Sequence, residues 1–163
     1  MKQALTAQDI LAAAQGERES ILTHRRTIHR DPEVGSPTPR TAAYIAGELK
    51  KLGYQPQALG GGLVTAITGK DTGRCVLLRA DMDALAGREQ SGLDFQADNG
   101  AMHACGHDMH AAMLLGAAAL EDPRFGRPMH NPAVVFNEDV LPLGAALHTW
   151  LAMQELGVMR DEG

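Results

Sequence analysis

Apolar residues recur at helical spacing in the first third of the chain and predict two helices. In residues 7–30 they lie three or four positions apart, behind Thr6, whose hydroxyl can cap the helix. Pro32 cannot continue this helix, which therefore ends before it. A second helix is expected from about Thr38 to Leu52, and Gly53 suits its end.

Shorter runs with aliphatic and β-branched residues predict strands in the middle of the chain. Residues 54–58 contain a proline and suit an edge strand, whereas residues 63–68 and 74–80 read as two further strands. Gly60–Gly62 forms a turn and not a phosphate-binding loop, because no Lys-Ser/Thr pair follows it. Residues 86–101 are a polar, glycine-rich loop.

The helical pattern returns after residue 107. Asp108 can cap a helix over MHAAMLLGAAALE, residues 133–136 suit a strand, and Asn137 can cap a last helix that runs to about Leu156 with Pro142 in its first turns. These elements predict an α/β fold in which helices flank a partial mixed sheet.

Composition and charge narrow the classes of function. The chain has 163 residues, enough for one core, and a net charge of −5 with no basic run beyond residues 24–26, which argues against nucleic acid as a partner. No apolar stretch reaches the length of a membrane span, and the first ten residues lack the apolar segment of a signal peptide, so a cytoplasmic location is expected. Two cysteines do not make a disulfide framework, and Cys75 is expected in the core.

The densest chemistry lies in residues 102–110, MHACGHDMH. Cys105 and His107 are two positions apart, so in an extended segment their side chains project the same way past Gly106. A thiolate together with a neutral imidazole suits zinc, cobalt, nickel or manganese. The alternative is a tight turn before a helix that carries no ligand. The combination with upstream carboxylates favours a metal site.

Those carboxylates follow the apolar run 75–78, which is expected to be a buried strand. Asp81 and Asp83 stand two apart at its carboxyl end, where open α/β sheets place their ligand sites. We expect Asp83 to orient a metal-bound imidazole. For Asp81, a loop or capping role and a site role both remain open.

Four histidines outside the predicted ligand pair are interpreted as structural. His24, His29 and His148 are expected at the surface or in packing, and His110 in packing or beside the site.

Five blocks together resemble one known family. They are HRRTIHRDPEVG, PRTAAYIAGELKKLGY, LLRADMDAL, MHACGHDMHAAMLLGAA and MHNPAVVFNEDVLPLGAA. They are similar to the metallopeptidase family of aminoacylases, hippurate hydrolase and the hydrolases of indole-acetyl–amino acid conjugates. By this resemblance Cys105, His107 and His130 match metal ligands, and Asp83 matches the acidic residue beside the site. Asp81 stands where more distant relatives carry a metal-binding histidine.

The chain departs from the family pattern after the HACGHD block. The family carries a Glu–Glu pair that supplies a general base and a metal ligand, and no two glutamates are adjacent here. A further ligand histidine and the inserted dimerisation or lid domain are also missing. We therefore expect residues 1–163 to form a single, incomplete catalytic domain with a deletion junction at residues 121–129. Sheet edges that such a deletion leaves uncovered would favour self-association.

The resemblance implies metal-dependent cleavage of the amide bond in N-acyl amino acids or small peptides. Three hypotheses follow. The chain is a hydrolase by descent that is impaired by the missing base and lid, or a partial metal-binding module without catalysis. In the third, it is an active hydrolase that recruits Glu138 or Asp139 as its base.

Overall fold

The computed structural model describes residues 6–67, 75–119, 138 and 141–156. Its helices are α1 (Ala7–Gly16), α2 (Arg18–Arg30), α3 (Pro39–Lys51), α4 (His107–Ala119) and α5 (Leu141–Leu156). Its strands are β1 (Gln57–Leu59), β2 (Gly62–Val64), β3 (Leu85–Ala86) and β4 (Ala101–Met102). β1 pairs with β2 and β3 with β4, both antiparallel. Helices around small sheets confirm the expected α/β class.

The first predicted helix is two helices. The Thr6 hydroxyl accepts a hydrogen bond from the Asp9 N–H at 3.2 Å, and the Asp9 carboxylate accepts one from the Thr6 N–H at 2.9 Å, so α1 begins with a capping box. The break falls at Glu17, directly after Gly16, a residue that weakens a helix interior. The break lets α1 pack on α5 while α2 packs on α4.

Helix α4 lies at the centre of the core. On one side it packs against α2 and α5 through an apolar cluster of Ile21, Leu22, Met109, Ala112, Met113, Leu141 and Ala145. On the other side it packs against α2 and α3 through Ile28, Ile45, Leu49, Ala111 and Leu115. Because neighbours enclose it on both sides, the first turn of α4 has a fixed position in the fold.

Gly116 lies at a close approach of these helices. A Cβ atom built there would lie 2.7 Å from Cδ1 of Ile21 and 3.1 Å from Cβ of Ala145. The absence of a side chain at this position therefore lets α2 and α5 both come close to α4.

The expected buried strand at residues 74–80 is wrong. Residues 75–80 contain no strand, Cys75 is exposed instead of in the core, and the Leu77 residue is 84% exposed. An apolar run becomes a strand only where another strand offers hydrogen-bond partners, and no described segment pairs with this one. Asp81 and Asp83 consequently lie in a loop before β3. A backbone bond from the Ala84 N–H to the Glu33 carbonyl, 2.7 Å long, holds this loop.

Some of the remaining sequence expectations fall on residues that the structure describes, and others fall outside them. The glycine turn at residues 60–61 does join two strands, and Pro142 does lie in the first turn of α5. The strand at 133–136, the cap Asn137 and the junction at 121–129 lie outside the described residues. No helix in the described part of the chain is long and apolar enough to cross a membrane.

Candidate metal centre

A tight turn leads into α4. The Gly106 N–H donates to the His103 carbonyl at 3.0 Å, and Gly106 has a φ of +80°, a left-handed conformation that suits glycine. Cys105 and His107 lie on either side of this glycine, so the extended segment expected for them is wrong. His107 begins α4, and Cys105 remains in the turn, where it is partly exposed.

His107 is held by the loop before β3. Its Nδ1 lies 2.8 Å from the carbonyl oxygen of Asp83 and 3.0 Å from Oδ1 of the same residue. Both oxygens accept hydrogen bonds, so Nδ1 carries the proton and donates it. In a neutral imidazole, Nε2 then presents a lone pair. Metal-binding histidines are commonly oriented by such a carboxylate or carbonyl partner.

Asp81, His107 and His110, here called the surface cluster, bring three ligand atoms within 4.8 Å of one another. Within the described residues this is the one group of three or more His, Cys, Asp or Glu side chains that could hold a single ion. His107 and His110 are three positions apart on α4, and their ring centroids are 5.5 Å apart. Cys105 is not a member of the group, and His130 lies outside the described residues.

The chemistry of this donor set fits a divalent transition metal. Desolvation of the His110 ring lowers its pKa, and the neighbouring His107 lowers it further, which together outweigh the opposing effect of Asp81. His110 is therefore neutral at pH 7 and has a lone pair to offer. Two imidazoles and a carboxylate are ligands typical of zinc, cobalt or manganese.

A basic side chain competes for the carboxylate of this cluster. Nη2 of Arg79 donates a hydrogen bond to Oδ1 of Asp81, and the Arg79 side chain is 79% exposed. An ion bound at Asp81 would have to displace this guanidinium, which is free to move into solvent.

Asp108 faces the interior instead of capping α4. It is the second residue of the helix and is completely buried, 2.8 Å from Nε of Arg25 and 2.8 Å from Nδ1 of His29. The cap expected at Asp108 is wrong because two buried cations attract its carboxylate inward. Arg25, His29, Glu89 and Asp108 are called the buried cluster below.

His29 joins the two carboxylates of the buried cluster. Its Nε2 lies 2.9 Å from Oε1 of Glu89, so both ring nitrogens donate to carboxylates and the ring carries a positive charge. Burial alone would lower the pKa of His29, but the hydrogen bond and the charge of Asp108, with help from Glu89, raise it above its ordinary value. Glu89 also accepts a hydrogen bond from the Ala97 N–H at 2.8 Å. This bond fixes the loop of residues 86–101, which the sequence analysis describes only as polar and glycine-rich.

His103 lies beside this cluster without a hydrogen-bond partner among the described residues. It is 2% exposed, and burial lowers its pKa to about 4, so its ring is neutral. Nη2 of Arg25 and Oδ1 of Asp108 are buried and unpartnered as well. These four buried atoms belong to three side chains and are polar groups of the kind that internal water commonly satisfies in proteins.

Glu138 is engaged by two arginines. Its carboxylate accepts from Nη1 of Arg25 at 2.9 Å and from Nη2 of Arg26 at 2.6 Å. Burial would raise the pKa of Glu138, but these guanidinium groups outweigh it and lower the pKa. A carboxylate held in this way is a poor proton acceptor. This contact weighs against Glu138 as a recruited base, and Asp139 lies outside the described residues.

Comparison with known proteins shows which proteins this chain resembles. A sequence profile of peptidase family M20/M25/M40 matches residues 77–139. The chain is 47% identical over 105 residues to thermostable carboxypeptidase 2 of Saccharolobus solfataricus, and the aligned region covers 61% of this chain and 26% of that enzyme. It is 46% identical over 105 residues to N-acetyl-L-cysteine deacetylase of Bacillus subtilis, and that aligned region covers 63% of this chain and 25% of the deacetylase.

A solved structure agrees with the sequence match. The Bacillus subtilis YXEP protein, described as a dinuclear metal-binding peptidase from the M20 family, superposes with a TM-score of 0.61 at 30% identity. The superposition covers 64% of this chain and 31% of that one. The chain resembles the M20 metallopeptidases in both sequence and fold. The resemblance indicated by the five sequence blocks is thereby confirmed. The chain spans about a quarter of the length of the two named enzymes.

The sequence interpretation missed His110 as a possible ligand. It was assigned to packing or to the surroundings of the site, although it follows His107 by three positions on a helix and therefore shares its face. Helical spacing was the available signal. The ligand roles of Cys105 and His130 and the orienting role of Asp83 stay predictions.

Proposed function

We propose that this M20-like chain carries part of the metal site of an amidohydrolase that cleaves the amide bond of N-acyl amino acids or small peptides. The supporting observation is the hydrogen bond between His107 and Asp83, which joins the HACGHD and RADMDAL blocks in the geometry of an oriented metal ligand. The named activities of the carboxypeptidase and the deacetylase are consistent with this class of substrate.

Each residue has a defined task in this proposal. His107 binds the ion through Nε2, with Cys105 and His130 as the further ligands that the family resemblance suggests, and Asp83 holds the His107 ring in position. A bound divalent ion supplies polarisation of the scissile carbonyl and activation of water. Zinc, manganese, cobalt and nickel all suit a thiolate and imidazole set.

We further propose that the chain by itself hydrolyses amides poorly. A Glu–Glu pair is absent from its sequence, and Glu138 is held by Arg25 and Arg26. The absence of a positioned general base typically costs about 10²- to 10⁴-fold in rate. Shortening at residues 121–129 would account for the missing pair.

Two measurements test these statements separately. Isothermal titration with zinc should find about one site that His107→Gln weakens by at least about tenfold, since removing a ligand costs no less than removing its orienting partner. Equal binding by the variant would contradict the metal site. Release of amino acid from hippurate or N-acetyl amino acids should stay at the level of the same variant with zinc, manganese or cobalt. Turnover that needs metal and His107 would contradict the loss of catalysis.

A metal-binding module without catalysis is the second candidate, favoured by the surface cluster. It predicts the same zinc binding and the same lack of turnover. The two differ in their affinity for substrate. A chain derived from an amidohydrolase should bind an N-acetyl amino acid more tightly with metal than without it, whereas a module should show no such difference.

A further inference from the structure

Residues 87–100 join β3 to β4 and form a loop whose two ends lie together. The Gly87 N–H donates to the Gly100 carbonyl at 2.9 Å, and both glycines have a positive φ, which glycine adopts without strain. No residue of the loop lies in a helix or a strand. Compact surface loops with close ends are frequently functional. This loop connects the segment of Asp83 to that of His107, so its state bears on both halves of the candidate metal centre.

Glu89 attaches this loop to the rest of the protein. Its buried carboxylate accepts hydrogen bonds from the Ser91 hydroxyl and the Ala97 N–H, which both belong to the loop. It also lies 2.9 Å from Nε2 of His29 in α2. Among the described residues, His29 is the one hydrogen-bond partner of Glu89 outside the loop. We propose that the 87–100 loop is a pH-sensitive switch, which the protonated ring of His29 holds closed through Glu89 and which opens when that ring loses a proton.

The switch follows from the position of His29 between two carboxylates. Its Nδ1 lies 2.8 Å from Oδ2 of Asp108, so both ring nitrogens donate to carboxylates only while the ring is charged. A neutral ring keeps one proton and turns a lone pair towards the other carboxylate. Asp108 is completely buried at the start of α4, whereas Glu89 lies in a loop with a glycine at each end. The repulsion is therefore relieved at Glu89, by movement of the loop into water.

The other groups that face His29 do not change charge in the same range of pH. Arg25 is permanently charged, and it donates to Asp108 from the same helix as His29. The His103 ring lies 6.2 Å from that of His29 between centroids, and burial lowers its pKa to about 4, so it stays neutral. Burial opposes a charge on His29 as well, but Asp108 and Glu89 outweigh it and raise the pKa of His29. The loop is thus closed at about pH 6.5 and opens at higher pH.

Two other contacts limit how far the loop can open. The Phe95 ring lies 4.8 Å from the Arg25 guanidinium and 5.1 Å from that of Arg26, measured to the ring centroid. Nδ2 of Asn99 donates to the Pro32 carbonyl at 3.0 Å. Neither contact involves Glu89, so release of its carboxylate loosens the loop without detaching it from α2.

Hydrogen–deuterium exchange followed by mass spectrometry tests the switch on the full chain without metal, between about pH 5.5 and about pH 9. Exchange rates are corrected for their intrinsic dependence on pH. In the wild type, peptides from the 87–100 loop should lose about 10- to 100-fold in protection as the pH rises, which corresponds to the loss of one hydrogen bond to a charged group. A peptide from residues 111–119, in the core of α4, should keep its protection.

Two variants separate the switch from a general effect of pH. Glu89→Gln keeps the size of the side chain, and its amide can donate to a neutral His29 ring or accept from a charged one. Protection of the loop in this variant should no longer fall with rising pH. His24→Gln is the control, because it removes an α2 imidazole that is bonded to the Tyr44 hydroxyl and should leave the wild-type dependence on pH unchanged. Circular dichroism checks that both variants keep their helices.

Three outcomes would overturn the inference. Loop protection that stays constant in the wild type over this range would exclude a switch, and an equal fall in Glu89→Gln would exclude Glu89 as its attachment. An equal loss of protection in the core of α4 would mean that the whole protein opens instead of the loop. The measurement needs no bound metal, so its result is independent of the proposed function.

Discussion

Two polar clusters meet at the first turn of α4, and adjacent residues belong to each. His107 is part of the surface cluster, whereas Asp108 belongs to the buried cluster and is completely buried. Both contain histidine and aspartate, and both are anchored by contacts between distant parts of the chain. Residue type alone therefore does not separate a ligand-binding site from a structural one.

The difference lies in how the charges are already balanced. In the buried cluster, two cations face two carboxylates: Arg25 and His29 against Glu89 and Asp108. Glu138 extends these ion pairs towards the surface, where it also contacts the partly exposed Arg26. At the surface, the carboxylate of Asp81 faces the exposed guanidinium of Arg79, and Nδ1 of His107 is hydrogen-bonded to Asp83. An added cation would have to break fixed ion pairs in the first case and displace only water and one exposed side chain in the second.

The largest expected effect comes from removing the carboxylate charge in the interior. Asp108→Asn removes one of the two carboxylates that Arg25 and His29 each contact, and breaking a buried ion pair in this way typically lowers the free energy of unfolding by about 3–5 kcal/mol. Urea unfolding measures it. The matched control, Asp81→Asn in the surface cluster, should change the free energy of unfolding by less than about 0.5 kcal/mol. Similar changes in both variants would mean that the two clusters do not differ as argued.

The next effect depends on pH. His29 has a raised pKa in the folded protein, so its contribution is complete below its unfolded pKa of about 6.5 and is lost as the pH rises through the folded pKa. His29→Gln should therefore destabilise the metal-free protein most below about pH 6.5, by about 1.5–3 kcal/mol for a charged hydrogen bond. The destabilisation should shrink at alkaline pH.

Urea unfolding of the wild type and of His29→Gln at several pH values measures this difference. Taking the difference between the two proteins cancels the titration of groups that they share. A loss of stability that stays constant from about pH 5.5 to about pH 9 would contradict a charged His29.

The smallest expected effect sharpens the surface side of the comparison. Arg79→Gln removes the cation that competes for Asp81, and since exposed ion pairs contribute about 0.2–1 kcal/mol, metal affinity should rise by no more than about fivefold. Arg88→Gln makes the same change in charge at another exposed arginine of this region and serves as the control. Zinc titration of both at low salt measures it. Equal increases would indicate a general effect of charge instead of competition at Asp81.

Sequence patterns predicted the helices of this protein better than its strands. The capping box at Thr6, the stop at Gly53 and the apolar spacing in α3 and α4 are signals within a few residues of the structure they specify. The strand expected at 74–80 depended on a partner strand that its own residues cannot reveal, and the described segments do not supply one.

The same distinction applies to the site. The motif spacing in HACGHD and RADMDAL pointed to His107 and Asp83, which the structure brings into contact. The bond from His29 to Glu89 spans 60 positions of sequence, and no local pattern marks Glu89 as different from other loop glutamates. Such pairs become visible only when the fold has placed α2 against the loop.

Gly116 makes α4 sensitive to a change far from any polar group. Alanine usually stabilises a helix relative to glycine by about 1 kcal/mol, but here the added methyl group would meet the fully buried Ile21 side chain at 2.7 Å. A helix behaves as a stiff rod, and His107 lies nine residues away on it, at a distance of about 13 Å. A methyl group added at Gly116 would displace α4 as a rigid body and so shift the His107 imidazole at the start of the helix. A position that helix propensity marks for improvement is thus one at which a single methyl group can misalign the candidate metal centre.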